Sequence, residues 1–393
     1  MENLSKEEFN KRLNISYVDE SLPKPDKALA LKHWLCSLFL YFGIYVILLY
    51  NPFLNRMFNE GMQTIAQIFI FLYATVAPII YIVVRPKSLY ASHSIEIYNY
   101  LSGVVKNIFC KDSLIKADYK RIIEVLTPKY REKQAIMLIF IKTFFGTLMV
   151  DSFCRNIGYF IANSENISNI FLVLTTSFKE GLLSNNADIY NYFISLLFTL
   201  DIMIFIFGYL TELSVFRNKI RTVETSAAGI IFCLACYPPF NEATGAIVGW
   251  NQQDNVYTPD GPIGMVLWGL RIIGLSFLCI YVTASWALGT KASNMTNRGT
   301  VSCFPYNIVR HPAYISKNTF WLCTTIPVII LNINNYKTWY DALIYVITVL
   351  TSFTIWAGIY YFRAITEERH MMMDPDYREY AKKVKYRFIP YIW

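Results

Sequence analysis

The chain has 393 residues, of which 54% are apolar, 17% aromatic and only 16% charged. Soluble proteins carry about 25% charged residues, so this composition, with its apolar runs of about 20 residues, predicts a polytopic membrane protein. We attribute the net charge of +8 to lysine and arginine on the cytoplasmic side of the membrane, and we exclude nucleic acid as a partner.

Eight cysteines are scattered along the chain, mostly within or beside apolar segments, so we predict no disulfide framework. Cys233 and Cys236 form a Cys-x-x-Cys pair, a spacing that in a soluble protein indicates redox or zinc chemistry. Here the pair lies among alanine, glycine and isoleucine, which is typical of small-residue helix packing. We therefore predict no metal site.

The apolar runs predict an all-α bundle of about eight transmembrane helices. The predicted spans are 34–50, 62–84, 135–150 with an extension towards 161, 189–213, 227–240, 263–288, 313–331 and 339–362. The fifth span is short and interrupted by Pro238-Pro239, with 245–250 as a re-entrant continuation. We divide the chain into a cytoplasmic segment 1–33, a transmembrane region 34–290 and a C-terminal region 291–393. The loop 85–134 has apolar residues at helical spacing, which predicts surface helices lying against the membrane.

The distribution of basic residues tests this topology independently. With the N-terminus in the cytoplasm, 30 of the 36 lysine and arginine residues fall on the cytoplasmic side. Such a bias is what the positive-inside rule predicts for eight spans with both termini in the cytoplasm. Lys142 and Arg271 lie inside apolar runs, where we expect them to snorkel or to pair with Asp151 or Asp201, with a catalytic role as the alternative.

Two polar clusters border the last predicted hairpin on this cytoplasmic side. In the first cluster, His311, Tyr314 and Asn318 have the i, i+3, i+7 spacing of one helix face. In the second, the stripe Arg363, Glu367, His370 and Asp374 also lies on one face, with Glu368 beside it. A cationic and aromatic wall opposite carboxylates suits a zwitterionic ligand with an amino acid moiety. The alternatives are interfacial residues near lipid headgroups and a solvated amphipathic helix.

These residues also occur as a spaced motif. The pattern Pro305-Tyr306-x-x-Val309-Arg310-His311-Pro312-x-Tyr314 is followed by Thr366-Glu367-Glu368, by Asp376-Tyr377-x-x-Tyr380-x-x-x-Val384, and by Ile389-Pro390. Over residues 296–393 the chain resembles the C-terminal region of the isoprenylcysteine carboxyl methyltransferases and related integral-membrane phospholipid methyltransferases. Residues 1–260 carry no resemblance that we can name.

The resemblance implies a membrane methyltransferase that binds S-adenosylmethionine on the cytoplasmic side and receives a lipophilic acceptor from the bilayer. By position it implies that His311 and Tyr314 contact the cofactor, and that Glu367 or Glu368 binds its ammonium group. Arg310 or Arg363 serves the cofactor carboxylate or the acceptor. The complete set of candidate cofactor-binding residues is Tyr306, His311, Pro312, Tyr314, Asn318, Glu367 and Glu368, and the candidate catalytic residues are Arg310, Arg363 and Glu368. The sequence has no glycine-rich turn of the Rossmann type.

Methyl transfer from a sulfonium is an in-line displacement, so the protein mainly has to align the reacting atoms in a dry site. Tyr306, Tyr314 and Trp321 are expected to border the sulfonium by cation–π contact. A carboxylate acceptor needs no base, whereas an amine or a hydroxyl needs a glutamate or a histidine nearby. The acceptor is therefore left open as the carboxylate, amine or hydroxyl of a lipid or another amphiphile.

The segment Ser316-Lys317-Asn318 departs from the family pattern, because it puts a charge where a small residue usually precedes an aromatic one. The closing sequence 386–392 also resembles that of membrane sterol reductases, so an NADPH-dependent reductase is the alternative enzyme. A non-catalytic scaffold or transporter is a third possibility. Short loops favour a bacterial inner membrane over the endoplasmic reticulum, and the sequence leaves the oligomeric state and the role of the first five spans open.

Overall fold

The computed structural model describes residues 4–109, 119–162, 187–212, 214–250 and 261–392. It is 76% helical, and in these residues the only strands are β1 (Thr222–Val223) and β2 (Thr296–Asn297), which pair antiparallel. The α-helices in chain order are α1 (Lys6–Arg12), α2 (Lys27–Tyr50), α3 (Pro52–Met57), α4 (Glu60–Thr75), α5 (Ala77–Val84), α6 (His93–Phe109), α7 (Tyr119–Leu126), α8 (Tyr130–Ala162), α9 (Ala187–Leu210), α10 (Ala227–Leu234), α11 (Phe240–Val248), α12 (Pro262–Leu288), α13 (Pro312–Asn332), α14 (Trp339–Met371) and α15 (Pro375–Lys383). The prediction of an all-α protein is confirmed.

Six stretches of helix in the described residues are long and apolar enough to cross a membrane. They are Lys27–Tyr50, Glu60–Val84, Tyr130–Ala162, Tyr190–Leu210, Pro262–Lys291 and Trp339–Met371. Six of the eight predicted spans coincide with them. The first begins seven residues earlier than predicted, because Asp26 caps α2 by accepting a hydrogen bond from the amide of Leu29. The second is two consecutive helices, α4 and α5, with Pro78 in the first turn of α5.

The two remaining predicted spans differ from each other. Residues 313–331 form α13, which is 21 residues long and therefore about 32 Å, but contains Lys317 and several amides and hydroxyls. The predicted interruption of 227–240 at Pro238-Pro239 is present, because α10 ends at Leu234 and α11 starts at Phe240. Neither α10, with 8 residues, nor α11, with 9, reaches across a hydrocarbon core of about 30 Å.

Two apolar clusters hold the helices together. One centres on α8, where Phe145 is fully buried and stacks on Tyr209 of α9. The other centres on α13, where Phe320 and Trp321 are buried against α12 and α9. The two helices predicted in the loop 85–134 are present as α6 and α7, and the residues from 110 to 118 in that loop lie outside the described ones.

The strand pair is anchored from both sides by buried polar residues. The side-chain amide of Gln134 on α8 both donates to and accepts from the backbone of Val223 in β1. Arg298, which follows β2 and is 3% exposed, donates to the carbonyls of Gly208, Thr211 and Asn218. These bonds tie the loop between α12 and α13 to the end of α9.

A second set of contacts docks the C-terminal helix α15 on this frame. Arg221, beside β1, contacts the carboxylates of Asp374 and Asp376 at 2.8 Å each, and Asn297 donates to Asp374 at 2.8 Å. The ammonium of Lys6 in α1 lies 3.0 Å from Asp376. The ion pairs with Arg221 and Lys6 outweigh the opposing effect of burial and lower the pKa of Asp376. Asp374 therefore belongs to this anchor and not to the predicted ligand wall.

The basic residues in the apolar runs have other partners than expected. Lys142 pairs with Glu212 at 2.8 Å, and not with Asp151, which pairs with Arg155 at 2.8 Å. Arg271 lies over the rings of Tyr190 and Trp268, at 5.1 and 4.9 Å from the ring centroids. Both side chains thus lie in settings that compensate their charge, which agrees with the structural interpretation of these residues.

The Lys142–Glu212 pair generates a pH-dependent prediction. Burial alone would raise the pKa of Glu212, but the ion pair and the hydrogen bonds to its carboxylate lower it from 4.5 to about 2. The stabilisation is therefore complete above pH 4.5 and is lost as the pH falls towards 2. We expect Glu212→Gln to lower the thermal midpoint of the detergent-solubilised protein at pH 7, and the difference from wild type to shrink between pH 4.5 and pH 3.

The matched control is Glu124→Gln, because Glu124 is exposed on α7. This substitution is expected to leave the midpoint within measurement error at every pH. A difference for Glu212→Gln that is the same at pH 7 and pH 3 would contradict the assignment of the stabilisation to the ionised carboxylate.

Candidate functional site

The two polar clusters meet in one cavity between the C-terminal ends of α12 and α14 and the N-terminal end of α13. Its empty volume is about 1250 Å³, which includes its opening to solvent. The walls come from the start of α13, the end of α14, α10, α15 and the loop between α12 and α13. A ligand in this cavity would contact both halves of the predicted site.

Arg363 is the central cation of the cavity. Its side chain is 7% exposed, and its guanidinium donates to Asn294 Oδ1 at 2.7 Å. The guanidinium carbon lies over the rings of Tyr237 and Tyr314, at 5.2 and 5.0 Å from their centroids. No carboxylate of the described residues forms an ion pair with it. A buried charge without a counter-ion is costly, so this geometry favours an anionic group in the cavity.

Glu367 lies one helical turn beyond Arg363 and is exposed to the mouth of the cavity. One of its oxygens accepts a hydrogen bond from the hydroxyl of Tyr314. Within the described part of the chain no lysine, arginine or histidine pairs with it. Residues four apart are separated by about 6 Å along a helix. The α14 surface therefore offers a cation and an anion at a spacing suited to the two charged groups of an amino acid.

His311 and Tyr314 form one rigid aromatic wall. Their rings stack at 5.3 Å with an interplanar angle of 9°. The imidazole is held from behind, because His311 Nε2 lies 3.1 Å from Glu368 Oε1. Both residues line the cavity, as the sequence predicts. Their fixed orientation means that a ligand meets a preformed surface.

Glu368 has a different position from its neighbour Glu367. It is 3% exposed, does not line the cavity, and is held by Arg310 at 3.3 Å, His311 at 3.1 Å and Arg387 at 3.0 Å. Backbone hydrogen bonds from Arg310 to Tyr386 and from His311 to Arg387 run beside it. Glu368 thus joins α14, the Arg310-His311 segment and the C-terminal tail, and the two arginines and the histidine around it leave no role for a ligand ammonium.

The other candidate residues divide into two groups. Tyr306 and Arg310 line the cavity, and burial raises the pKa of Tyr306 well above its ordinary value. Pro312 and Asn318 do not line it. Pro312 is the first residue of α13, and Asn318 donates back to the carbonyl of Tyr314 at 2.8 Å. These two residues shape the helix that carries the wall.

Several residues of the cavity were not predicted as site residues. Tyr237 and Asn294, which contact Arg363, come from the loops after α10 and before β2. Neither belongs to a motif, and no signal in the sequence alone indicates them. His370 lines the cavity and lies 2.9 Å from the hydroxyl of Thr222, so it is bound to the strand pair.

Lys317, noted above as a departure from the family pattern, also lines the cavity. Its ammonium lies 5.1 Å from the ring centroid of Tyr281 and 5.7 Å from that of Phe198. Tyr281 in turn donates to the buried carboxylate of Asp201 at 2.7 Å. Lys317 and Tyr281 form the floor of the cavity, more than a turn further along α13 than His311, and Phe198 and Asp201 of α9 pack behind them.

Comparison with known proteins gives no assignment. No protein-family model, no curated protein and no solved structure matches this chain. What the cavity binds is therefore inferred from its geometry and from the C-terminal motif.

The contrast between two adjacent glutamates gives a prediction. Glu368→Gln removes the anion shared by Arg310, Arg387 and His311, so we expect it to lower the free energy of unfolding by about 3 kcal/mol. Glu367→Gln changes an exposed side chain and is expected to cost less than about 0.5 kcal/mol. Denaturant unfolding of both variants in the same detergent measures the difference. Equal losses, or a larger loss for Glu367→Gln, would contradict the structural role of Glu368.

Proposed function

We propose that this chain is an integral-membrane methyltransferase that binds S-adenosylmethionine and methylates a lipophilic acceptor. The observation that carries the proposal is that Arg363 and Glu367 lie one helical turn apart in the same cavity, each without an ion-pair partner in the described residues. One is a buried cation without a carboxylate partner among the described residues, and the other is a carboxylate without a cation, one turn away in the same cavity. The cofactor ends in an amino acid moiety whose carboxylate and ammonium complement this pair. The C-terminal motif, with its resemblance to membrane methyltransferases, supports the same conclusion.

The residues present fit the two charged groups of the cofactor's amino acid end and its sulfonium. Arg363 would bind the carboxylate of its amino acid end, and Glu367 would bind the ammonium group. The aromatic rings of Tyr237, Tyr314 and Tyr360 line the same cavity and suit a sulfonium, which is a cation without hydrogen-bond donors. When bound, the cofactor supplies an electrophilic methyl group for in-line displacement.

The chain's own contribution to the reaction is alignment and exclusion of water. The stacked rings of His311 and Tyr314 are fixed by Glu368 and Glu367, so they form a preorganised wall that needs no rearrangement on binding. The hydroxyl of Tyr380 on α15 donates a hydrogen bond of 2.7 Å to the carbonyl of Tyr306. In the proposed orientation, Tyr306 covers the cytoplasmic side of the cavity. A methyl acceptor would therefore reach the cofactor from the side of the membrane-spanning helices.

The floor of the cavity is the place for the polar end of the acceptor. In the described residues, Lys317 has no hydrogen-bond acceptor of its own, and its ammonium is available to a carboxylate or hydroxyl oxygen. The hydrocarbon part of the acceptor would extend along the apolar surfaces of α12 and α13 into the bilayer. The proposal includes acceptors that are methylated on a carboxylate, an amine or a hydroxyl group.

The proposed orientation places this cavity and both termini in the cytoplasm, where the cofactor is available. The support is the excess of lysine and arginine on that side, 30 of 36 residues in the topology above. On the basis of the short loops we propose a bacterial inner membrane in preference to the endoplasmic reticulum.

Cofactor binding tests the proposal. Titration calorimetry of the solubilised protein with S-adenosylhomocysteine is expected to show saturable binding that weakens about 10- to 100-fold in Arg363→Met and in Glu367→Gln, since each loses one charge-assisted contact. Glu379→Gln, an exposed glutamate on α15, is the matched control and is expected to bind like wild type.

A parallel titration with NADPH separates the proposal from the reductase alternative. Saturable binding of NADPH without binding of S-adenosylhomocysteine would overturn the methyltransferase in favour of a reductase. Absence of binding of either ligand would favour a non-catalytic role. Thermal midpoints of all variants are measured beside the titrations, so that loss of binding is not confused with loss of fold.

A further inference from the structure

A second cavity lies in the N-terminal half and has no lining residue in common with the first. It is enclosed by α2, α5, α6 and α8, with an empty volume of about 860 Å³ including its opening. It extends along α2 from His33 to Tyr41, which is about 12 Å of helix. Exposed Ser88 and half-buried Ala91 lie at its mouth, whereas Leu89 is buried. The proposed methyltransferase makes no use of it.

The lining of this cavity is unusually rich in neutral polar groups for a site between apolar helices. Of the 17 described lining residues, ten end in a hydroxyl or an imidazole, and only four are apolar. The ten are Ser16, Ser37, Ser88, Ser92, Ser94, Tyr41, Tyr73, Tyr81, His33 and His93. Polar groups at this depth are costly unless they are paired, hydrated or bound to a ligand.

Some of these groups pair with each other and so have a fixed arrangement. His33 Nδ1 lies 2.7 Å from the hydroxyl of Ser92, and Ser37 donates to Ser94 at 2.7 Å. Both bonds join α2 to the start of α6. His93 differs, because its Nδ1 is buried without a hydrogen-bond partner among the described residues. A polar ligand would supply that partner.

Charge in the cavity is almost fully compensated. The ammonium of Lys142 and the carboxylate of Glu212 pair at 2.8 Å, and the second oxygen of Glu212 accepts from Ser16 and from the amide of Ile220. Burial lowers the pKa of His93 to about 4, so this ring is neutral at pH 7. Of the charged lining residues, only Lys219, which is half-buried, has no ion-pair partner in the described part of the chain. A charged ligand deep in this cavity would lack a partner of opposite sign.

One wall of the cavity is a continuous aromatic surface. His33 contacts Tyr81 edge-on at 4.7 Å, Tyr81 lies 6.3 Å from Tyr73, and Tyr73 lies 5.3 Å from Tyr41. A cavity that combines an apolar aromatic wall with many hydroxyl donors and acceptors matches a ligand that has an apolar C–H face and hydroxyl groups around its edge.

We propose that this second cavity is a binding site for a neutral polyhydroxyl group, such as a sugar or a glycerol headgroup. The hydroxyls and imidazoles of the cavity act as both donors and acceptors, as the hydroxyls of such a group do. Its position at the ends of apolar helices admits either the headgroup of a lipid or a free sugar, and the chemistry that recognises the two is the same.

The test compares headgroups on one alkyl chain. The full-length protein, in phosphatidylcholine nanodiscs, is titrated calorimetrically with octyl glucoside, octyl phosphate and octyltrimethylammonium, each below its micelle-forming concentration and corrected with empty nanodiscs. We expect saturable binding of octyl glucoside at least about tenfold tighter than that of either charged compound. Free D-glucose and glycerol form a second arm. Binding of glucose as tight as that of octyl glucoside identifies a soluble sugar as the ligand, and weaker binding identifies a lipid headgroup.

Substitutions locate the binding. Ala91→Phe fills the mouth of the cavity and is expected to weaken octyl glucoside binding at least about tenfold, and Tyr73→Phe removes one hydroxyl and weakens it less. Ala28→Phe and Tyr98→Phe change exposed residues on α2 and α6 and are expected to bind like wild type. S-adenosylhomocysteine binding, measured in the same variants, is expected to be unchanged, so that this proposal and the methyltransferase are tested separately.

Three results would overturn the proposal. They are equal or tighter binding of a charged octyl compound, absence of saturable binding of every neutral probe, and octyl glucoside binding that Ala91→Phe leaves intact.

Discussion

The structure of the candidate active site depends on one buried carboxylate. Glu368 brings together Arg310 and His311 from the start of α13, Arg387 from the C-terminal tail, and its own helix α14. An anion at this depth is tolerated because two guanidinium groups and an imidazole surround it, and each of those groups is in turn fixed by it. The orientation of the His311 ring, and through stacking that of Tyr314, follows from this interaction. Glu367, the next residue, faces the cavity instead. Of these two adjacent glutamates, Glu368 therefore stabilises the fold and Glu367 belongs to the site.

A second constraint is that the polar elements must meet at the ends of apolar helices. The short strand pair, Arg298 and the Arg221–Asp374 contact close the cytoplasmic end, as we propose it, around the cavity. Because Arg298 donates to three backbone carbonyls, the loop that carries Asn294 has a defined position. Asn294 then holds Arg363, so a contact far from the motif places the central cation of the site.

Much of this arrangement could be predicted from the sequence, for identifiable reasons. Long apolar runs identified the six candidate membrane helices, and helical spacing placed His311 and Tyr314 on one face and Arg363 and Glu367 on another. The interruption of the apolar segment 227–240 could also be predicted, because Pro238-Pro239 ends the hydrogen-bonding pattern of a helix. Spacing could not separate Glu367 from Glu368, since neighbouring residues on a helix differ by only 100° in direction. Tyr237, Asn294 and the partner of Lys142 depend on tertiary packing between distant segments, which no local pattern records.

The central claim is that Arg363 and Glu367 bind a methyl donor for transfer to a lipophilic acceptor. The most direct measurement is transfer of radioactivity from methyl-labelled S-adenosylmethionine to lipids, using the purified protein in nanodiscs made with a bacterial total lipid extract. The account predicts labelled material in the organic phase with wild type and with Glu379→Gln, and at most background with Arg363→Met and with Glu367→Gln. Label that is equal in all four proteins, or absent from wild type while NADPH binds, would contradict it.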